Sequence, residues 1–207
     1  MLQLKTIHQD TYLLLQELSK LGYLNDFALA GGTSLALQLG HRISVDLDFF
    51  TLAAFDSIVL LDQLKTDYDI SNVTTANNTL SLYIRYSSQN IKVEFLRHNY
   101  KRLNNYVKND SILLYSKEDI AAMKLNAIAN RGSKKDFYDI YELLKIFSIT
   151  ELLDFFKEKY HDMNAFTVIK SLNYFEDADL EPDPMSLRNE SWDIIKKIIR
   201  NKVNRSF

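Results

Sequence analysis

Two aspartates separated by a single residue are the part of this chain best suited to chemistry. Asp46 and Asp48 lie in the segment VDLDFF, residues 45–50, where side chains of two kinds alternate. Because side chains two apart in a strand point to the same face, this pattern predicts two carboxylates side by side. Such carboxylates repel each other unless a cation lies between them. Mg²⁺ meets that need and commonly keeps substrate phosphates as further ligands, so the pair predicts a magnesium site for a phosphorylated substrate.

A glycine cluster upstream of these aspartates predicts a turn that binds phosphate. The chain has only five glycines, and three of them fall within residues 31–40. Gly31 and Gly32 follow a short apolar run, which predicts a buried strand, and precede a short helical segment. Backbone N–H groups of such a turn, at the start of a helix, attract anions. Thr33 and Ser34 add hydroxyl donors there, and the turn together with the aspartates predicts a site for a nucleoside triphosphate.

A third acid is available in the segment IKVEFL, residues 91–96. Its alternation predicts a strand with Val93 and Phe95 on one face and Lys92 and Glu94 on the other. If this strand adjoins the strand of the aspartates, Glu94 lies beside them. It then either binds metal or accepts the proton of an attacking hydroxyl. Three acids in one place predict a site for two Mg²⁺ ions.

The stretch FALAGGTSLALQLGHRISVDLDFF, residues 27–50, resembles the first motif of the DNA polymerase β-like nucleotidyltransferase superfamily. In detail, it resembles the AbiEii-type nucleotidyltransferase toxins of bacterial abortive-infection and toxin–antitoxin systems. Those toxins pair a Gly-Gly-Thr/Ser turn with a strand that runs Arg-x-Ser-x-Asp-x-Asp. Here the arginine is Arg42, which with His41 is either a phosphate ligand or a support for the loop.

A second stretch, SKEDIAAMKLNAIANRGSKKDFYDIYELL, residues 116–144, resembles the helical motif of the same family. The resemblance implies that Lys124 contacts the nucleotide phosphates. It also implies that one of Asp136 and Asp139 completes the site, either by orienting Lys124 or by acting as a base.

The resemblance further implies an activity and a setting. A nucleoside monophosphate would pass from a nucleoside triphosphate to an acceptor hydroxyl on RNA, such as the 3′ end of a tRNA. The protein would be a growth-arresting toxin with a cognate antitoxin protein. Two alternatives stay open: the acceptor is a protein hydroxyl, so that a partner becomes nucleotidylated, or the chain is a nucleotide-binding or partner-binding module without catalysis.

Composition excludes several other classes of protein. The chain has 207 residues, 46% of them hydrophobic, and its formal net charge is −2. It has no cysteine, so disulfide frameworks and thiolate zinc sites are excluded, and a reducing cytoplasm is expected. No leader-like run opens the chain, and no apolar stretch approaches the length of a membrane span. The net charge argues against a global grip on nucleic acid, while residues 188–205 form a basic stretch where RNA could dock.

These residues need a mixed α/β core to position them. We expect an α/β (α+β) fold, in which a nucleotidyltransferase core with a small mixed sheet flanked by helices is followed by an all-helical C-terminal region. The core is expected over residues 1–115 and the helical region over residues 116–207. Strands are predicted at residues 27–30, 45–50, 70–75, 79–86 and 91–96. Helices are predicted at residues 5–21, 33–39, 55–68, 116–131, 134–147, 150–160, 164–175 and 191–203.

Overall fold

The computed structural model describes residues 1–206, which form two compact units. The first, here called the sheet unit, contains Met1–Gly40, Ser44–Lys101 and Tyr106–Tyr115. The second, here called the helical unit, contains the chain from Ser116 on, together with His41–Ile43 and Arg102–Asn105. The mixed α/β fold expected from the sequence is confirmed.

Seven strands form one mixed sheet in the sheet unit. They are β1 (Ala28–Leu29), β2 (Leu47–Thr51), β3 (Asp69–Ala76), β4 (Thr79–Tyr86), β5 (Gln89–Arg97), β6 (Val107–Asn109) and β7 (Ile112–Leu114). Their order across the sheet is β3-β4-β5-β2-β1-β7-β6. Strands β2 and β5 run parallel, as do β1 and β7, and the remaining neighbours are antiparallel.

One face of this sheet carries the core of the unit. Leu47 and Phe49 of β2 are buried together with Val93 and Phe95 of β5. The rings of Phe49 and Phe95 stack, with centroids 5.3 Å apart. The unit also contains the helices α1 (Gln9–Leu18), α2 (Gly31–Leu39) and α3 (Ser57–Asp67). Because side chains alternate along a strand, burial of these four residues turns Asp48 and Glu94 to the opposite face.

The strand of the aspartates starts later than the sequence predicts. It begins at Leu47, so Val45 and Asp46 precede it, and Val45 is 55% exposed. A side chain holds the backbone here: the Thr33 hydroxyl donates to the carbonyl oxygen of Asp46 and lies 2.8 Å from the Ser44 hydroxyl. The predicted boundary at residue 45 is therefore wrong by two residues.

Four further elements differ from the sequence prediction. Helix α2 begins at Gly31 itself, so the glycine pair forms its first turn. Strands β6 and β7 were not predicted, since three residues are too few to show an alternating pattern. The acidic segment 176–184, which reads as a loop, contains a one-turn helix.

Helices make up the regular structure of the helical unit. They are α4 (Lys117–Asn130), α5 (Lys134–Leu143), α6 (Ile149–Lys159), α7 (Ala165–Ser171), α8 (Glu176–Asp179) and α9 (Trp192–Asn204). Ser116 caps α4 by accepting a bond from the backbone N–H of Asp119, as the sequence predicts. Across residues 1–206, every helix is too short or too polar to span a bilayer.

We expect Phe95→Ala to lower the free energy of unfolding by about 3–5 kcal/mol, because the lost ring leaves a cavity under the polar face. Urea denaturation followed by circular dichroism measures the change. Ile58→Ala is the matched control: Ile58 is an apolar residue of the same unit with an exposed side chain, and its truncation should change stability by less than about 0.5 kcal/mol. Equal effects of the two substitutions would contradict the assigned core.

Candidate active site

The first turn of α2 lies directly against the carboxylate of Asp48. Gly31 has φ of +63°, and a Cβ built on it would fall 2.2 Å from Oδ2 of Asp48. The backbone N–H of Ala30 donates to the carbonyl oxygen of Asp48 at 2.7 Å, which fixes the approach of turn and strand. No side chain caps this end of the helix. An uncapped helix start beside a carboxylate is a place where a phosphate and a cation can bind together.

The acids Asp48 and Glu94 are neighbours on the polar face of the sheet. They are paired in register on the parallel strands β2 and β5, and their carboxyl groups lie within hydrogen-bond reach. Both side chains are partly exposed. The Ser81 hydroxyl, on β4, donates to Oε1 of Glu94 at 3.0 Å. The predicted adjacency of the third acid and the aspartate strand is therefore present.

Lys92 is a member of this site that sequence reasoning left out. Its ammonium lies 2.9 Å from Oε1 of Glu94. Burial raises the pKa of Glu94, but the hydrogen bond and charge of Lys92 outweigh it and hold that pKa below the ordinary value. The hydrogen bond to Glu94 in turn raises the pKa of Lys92, with smaller contributions from the charges of Asp46 and Asp48. The strand alternation that places Glu94 on this face also places Lys92 there, so the sequence pattern already indicated that Lys92 belongs to the site.

The remaining predicted residues of the turn are held by internal bonds. The hydroxyl of Thr33 is used by the backbone at Asp46, and Ser34 is buried with its hydroxyl 3.3 Å from the amide nitrogen of Gln38. Asp46 itself lies outside the strand and is partly exposed. The structure thus brings Asp48 and Glu94 together and leaves Asp46 at the entrance of the strand.

These residues fit a divalent cation. Two adjacent carboxylates and a third acid just outside the strand offer hard oxygen ligands, and the ammonium of Lys92 already lies against one of them. Among residues 1–206, no three His, Cys, Asp or Glu side chains are arranged to hold a metal ion by themselves. Mg²⁺ is commonly bound by one or two carboxylates and completed by substrate phosphates, which is the form this set suits.

The predicted residues of the second motif form a buried ionic cluster in the helical unit. Arg42 donates from Nε to Oδ1 of Asp139 at 2.7 Å and from a terminal nitrogen to Oδ2 at 2.9 Å. His41 Nε2 lies 2.7 Å from the same Oδ1, and Lys124 Nζ lies 2.6 Å from Oδ2. Asp139 therefore receives three donors at once. This geometry favours the supporting role of Arg42 over that of a phosphate ligand.

The second acid of the cluster, Asp136, pairs with the same lysine. Lys124 Nζ donates to Oδ1 of Asp136 at 2.8 Å, and Arg131 Nε donates to Oδ2 at 2.9 Å. Lys124 is only 5% exposed, whereas the Arg131 side chain is 58% exposed. Two buried cations, Arg42 and Lys124, thus face two buried carboxylates, so their charges balance within the unit.

The charges in this cluster shift one another strongly. Burial raises the pKa of Asp139, but the charges of Arg42 and Lys124 outweigh it and hold that pKa well below the ordinary value. Burial also raises the pKa of Asp136, and Lys124 and Arg131 reverse the effect. Burial lowers the pKa of Lys124, but the charges of Asp139 and Asp136 outweigh this effect and hold that pKa above its ordinary value. Asp136, Asp139 and Lys124 therefore stay charged around neutral pH. Their ion pairs hold the lysine in one orientation.

We expect Gly31→Ala to destabilise the protein by about 1–3 kcal/mol, because the new methyl group meets the Asp48 carboxylate and the backbone stays at positive φ. Urea denaturation measures the loss. The matched control is Gly22→Ala, since a Cβ at Gly22 has no atom within 4 Å. That variant should be within about 1 kcal/mol of wild type. A neutral Gly31→Ala would contradict the close approach.

We expect Asp139→Asn to lower the free energy of unfolding by about 3–5 kcal/mol at pH 7, because it leaves buried cations without their counter-charge. The folded-state pKa of Asp139 lies below its unfolded value. Its contribution to stability is therefore complete above about pH 4–5 and is lost as pH falls through the folded pKa. Stability profiles of the two proteins should converge at low pH.

The matched control for this pH dependence is Asp154→Asn, whose carboxylate is exposed in a surface pair with Lys157. Its profile should run parallel to wild type. A gap between Asp139→Asn and wild type that stays constant down to pH 2 would contradict the assigned pairing.

Comparisons with known proteins agree with these features. A family model described as "Nucleotidyl transferase AbiEii toxin, Type IV TA system" matches residues 13–202. An uncharacterized protein of Aquifex aeolicus is 36% identical over 201 residues, which cover 91% of this chain and 92% of the relative.

Two solved structures are similar in fold. MenT4, a nucleotidyltransferase toxin of Mycobacterium tuberculosis H37Rv, has a TM-score of 0.61 at 17% identity, covering 95% of this chain and 84% of that one. JHP933 from Helicobacter pylori has a TM-score of 0.55 at 17% identity, covering 97% and 96%. The family match spans both motifs on which the resemblance was based, and that resemblance is confirmed. The chain belongs to the AbiEii nucleotidyltransferase toxin family of type IV toxin–antitoxin systems, and it is a nucleotidyltransferase.

Proposed function

We propose that this nucleotidyltransferase transfers a nucleoside monophosphate from a nucleoside triphosphate to an RNA hydroxyl and depends on Mg²⁺. The observation that carries the proposal is the contact between the first turn of α2 and Asp48, with Glu94 beside it. That contact joins a phosphate-binding element to metal-binding acids. We assign this chemistry to the predicted core, residues 1–115.

The transfer proceeds as an in-line displacement. The acceptor oxygen forms a bond to the α-phosphorus, and the bond from that phosphorus to the bridging oxygen of the β-phosphate breaks. Pyrophosphate leaves, and the acceptor hydroxyl gives up its proton to a base. Catalysis of this kind depends mainly on positioning and on neutralising the charge of the phosphates.

The sheet unit would supply the binding groups. Backbone N–H groups of Gly31 and Gly32 donate hydrogen bonds to the phosphates, and the positive N-terminal end of the α2 dipole adds to the attraction. Asp46, Asp48 and Glu94 would hold divalent metal, which when bound neutralises phosphate charge. The register that sets Glu94 against Asp48 supports its assignment as a ligand. Contacts of phosphate with the Thr33 and Ser34 hydroxyls require the bonds these groups now make to change.

In the helical unit, we assign an orienting role to both acids of the second motif. The ammonium of Lys124 lies between the carboxylates of Asp136 and Asp139, at 2.8 and 2.6 Å. Held in this way, it has one orientation and keeps its charge. Phosphate binding by Lys124 remains the role that the family resemblance implies, and it requires these ion pairs to open. Of the two roles expected for Arg42, its bonds to Asp139 support that of a loop support.

RNA is the acceptor that the charge pattern supports. Helix α9 buries Ile195 and Ile199, and exposes basic residues on its other faces. The exposed basic side chains are those of Lys197, Arg200 and Lys202 in the helix and of Arg205 directly after it. A local patch of this kind can bind an RNA backbone, such as that of a tRNA, by releasing counterions, although the chain as a whole is slightly acidic. A cognate antitoxin follows from the family, and a cytoplasmic site of action from the substrates.

We expect the wild-type protein, given Mg²⁺, labelled nucleoside triphosphates and total RNA, to produce labelled RNA. Asp48→Asn should reduce incorporation at least about a hundredfold, because it removes a charge needed for phosphate neutralisation. Asp62→Asn is the matched control, since Asp62 is an exposed aspartate of α3 in the same unit, and it should keep wild-type activity.

Enzymatic treatment of the labelled product tests the acceptor. The label should survive protease and disappear with ribonuclease. A product destroyed by protease would replace RNA with a protein acceptor. Equal incorporation by wild type and Asp48→Asn would contradict the assigned site, and incorporation that chelation of divalent metal leaves unchanged would contradict the metal dependence.

A further inference from the structure

A short ladder of aromatic rings lies on the polar face of the sheet, next to the acids. The rings of Phe50 and His98 stack with centroids 5.4 Å apart at 30°, and those of His98 and Tyr100 are 5.1 Å apart. The ring of Tyr115 packs edge-on against Phe50 at 6.2 Å. Tyr115 is fully buried, whereas the other three are partly exposed. The ladder, here the rings of Phe50, His98 and Tyr100, is therefore supported by the buried ring of Tyr115 and presents ring surface to solvent.

The backbone fixes the position of this ladder relative to the acids. Phe50 follows Asp48 by two residues on β2, so both side chains share a face about 7 Å apart along the strand. Leu96 stands opposite Phe50 on β5, as Glu94 stands opposite Asp48. The backbone N–H of His98 donates to the carbonyl oxygen of Thr51 at 2.8 Å, which sets its ring against Phe50.

The two sides of the acid pair differ in chemistry. On one side, two residues before Glu94, lies the ammonium of Lys92. On the other side lie the uncharged surfaces of Phe50, Leu96 and the ladder. A nucleoside triphosphate has the same asymmetry, since a ribose separates its charged phosphates from an aromatic base.

We infer that the ladder of Phe50, His98 and Tyr100 is the nucleobase subsite of this enzyme. The base stacks on the exposed rings while the phosphates lie over the acids and the start of α2. Stacking on an aromatic ring suits every base, because each base has a π-face. The subsite therefore holds a nucleotide through its base without choosing among the four. This inference rests on the proposed function, since it takes the ligand to be a nucleoside triphosphate.

Binding of two ligands to the same variants tests the subsite. Calorimetry with excess Mg²⁺ would compare a nucleoside triphosphate with inorganic tripolyphosphate, which has the phosphates but no base. Tyr100→Leu and Phe50→Leu should each weaken nucleotide binding about tenfold, the value of one base–aromatic contact. Both should bind tripolyphosphate within about twofold of wild type.

The matched control is Tyr86→Leu, at the far end of β4, where the Tyr86 hydroxyl bonds to Glu17. This variant should bind both ligands as wild type does. Equal losses for nucleotide and tripolyphosphate, or no loss for nucleotide in Tyr100→Leu and Phe50→Leu, would overturn the subsite and leave the proposed function standing. Failure of wild type to bind any nucleoside triphosphate would overturn both, so the two failures are distinguishable.

Discussion

Repulsion between two neighbouring carboxylates is the constraint around which the sheet unit is organised. Asp48 and Glu94 share one register position on parallel strands, so the backbone places both side chains next to each other on one face. The ammonium of Lys92 relieves part of this repulsion. In the function we propose, the remaining negative charge draws a divalent cation and, through it, the phosphates of a substrate. The buried aromatic core on the opposite face keeps the arrangement stiff enough for that charge to persist.

The helical unit contains a cluster of charged side chains that are buried away from water. The two buried acids of the cluster, Asp136 and Asp139, and its two buried cations, Arg42 and Lys124, would each be costly alone, since removing a charge from water costs several kcal/mol. Asp139 accepts from His41, Arg42 and Lys124, and Asp136 accepts from Lys124 and Arg131. Such shared bonds fix side-chain directions more than they add stability. The ion pairs therefore fix the direction of the Lys124 side chain. A fixed direction suits the role that the family resemblance implies for this lysine.

Much of the sheet unit was readable from the sequence, because strand alternation is a strong signal. The pattern around Glu94 and Asp48 predicted that both face away from the core. The same pattern started the strand two residues too early, at residue 45, where the Thr33 hydroxyl bonds to the backbone oxygen of Asp46, an effect that periodicity does not contain. Burial of Lys124 does not follow from periodicity, since lysine side chains are seldom buried unless paired. The family resemblance implied one orienting acid on the next helix, and both Asp136 and Asp139 pair with Lys124.

The close approach of Gly31 to Asp48 also constrains how this site can evolve. A side chain at position 31 would occupy the space of the Asp48 carboxylate, so position 31 accepts one without a clash only after the carboxylate has moved or been lost. Loss of the acid would remove the steric part of this constraint, whereas the positive φ of Gly31 would still disfavour other residues there. A descendant chain with a larger residue at 31 would therefore mark a lineage in which the carboxylate has already gone. The residue type at position 31 would then indicate, from the sequence alone, whether the carboxylate of position 48 is still present.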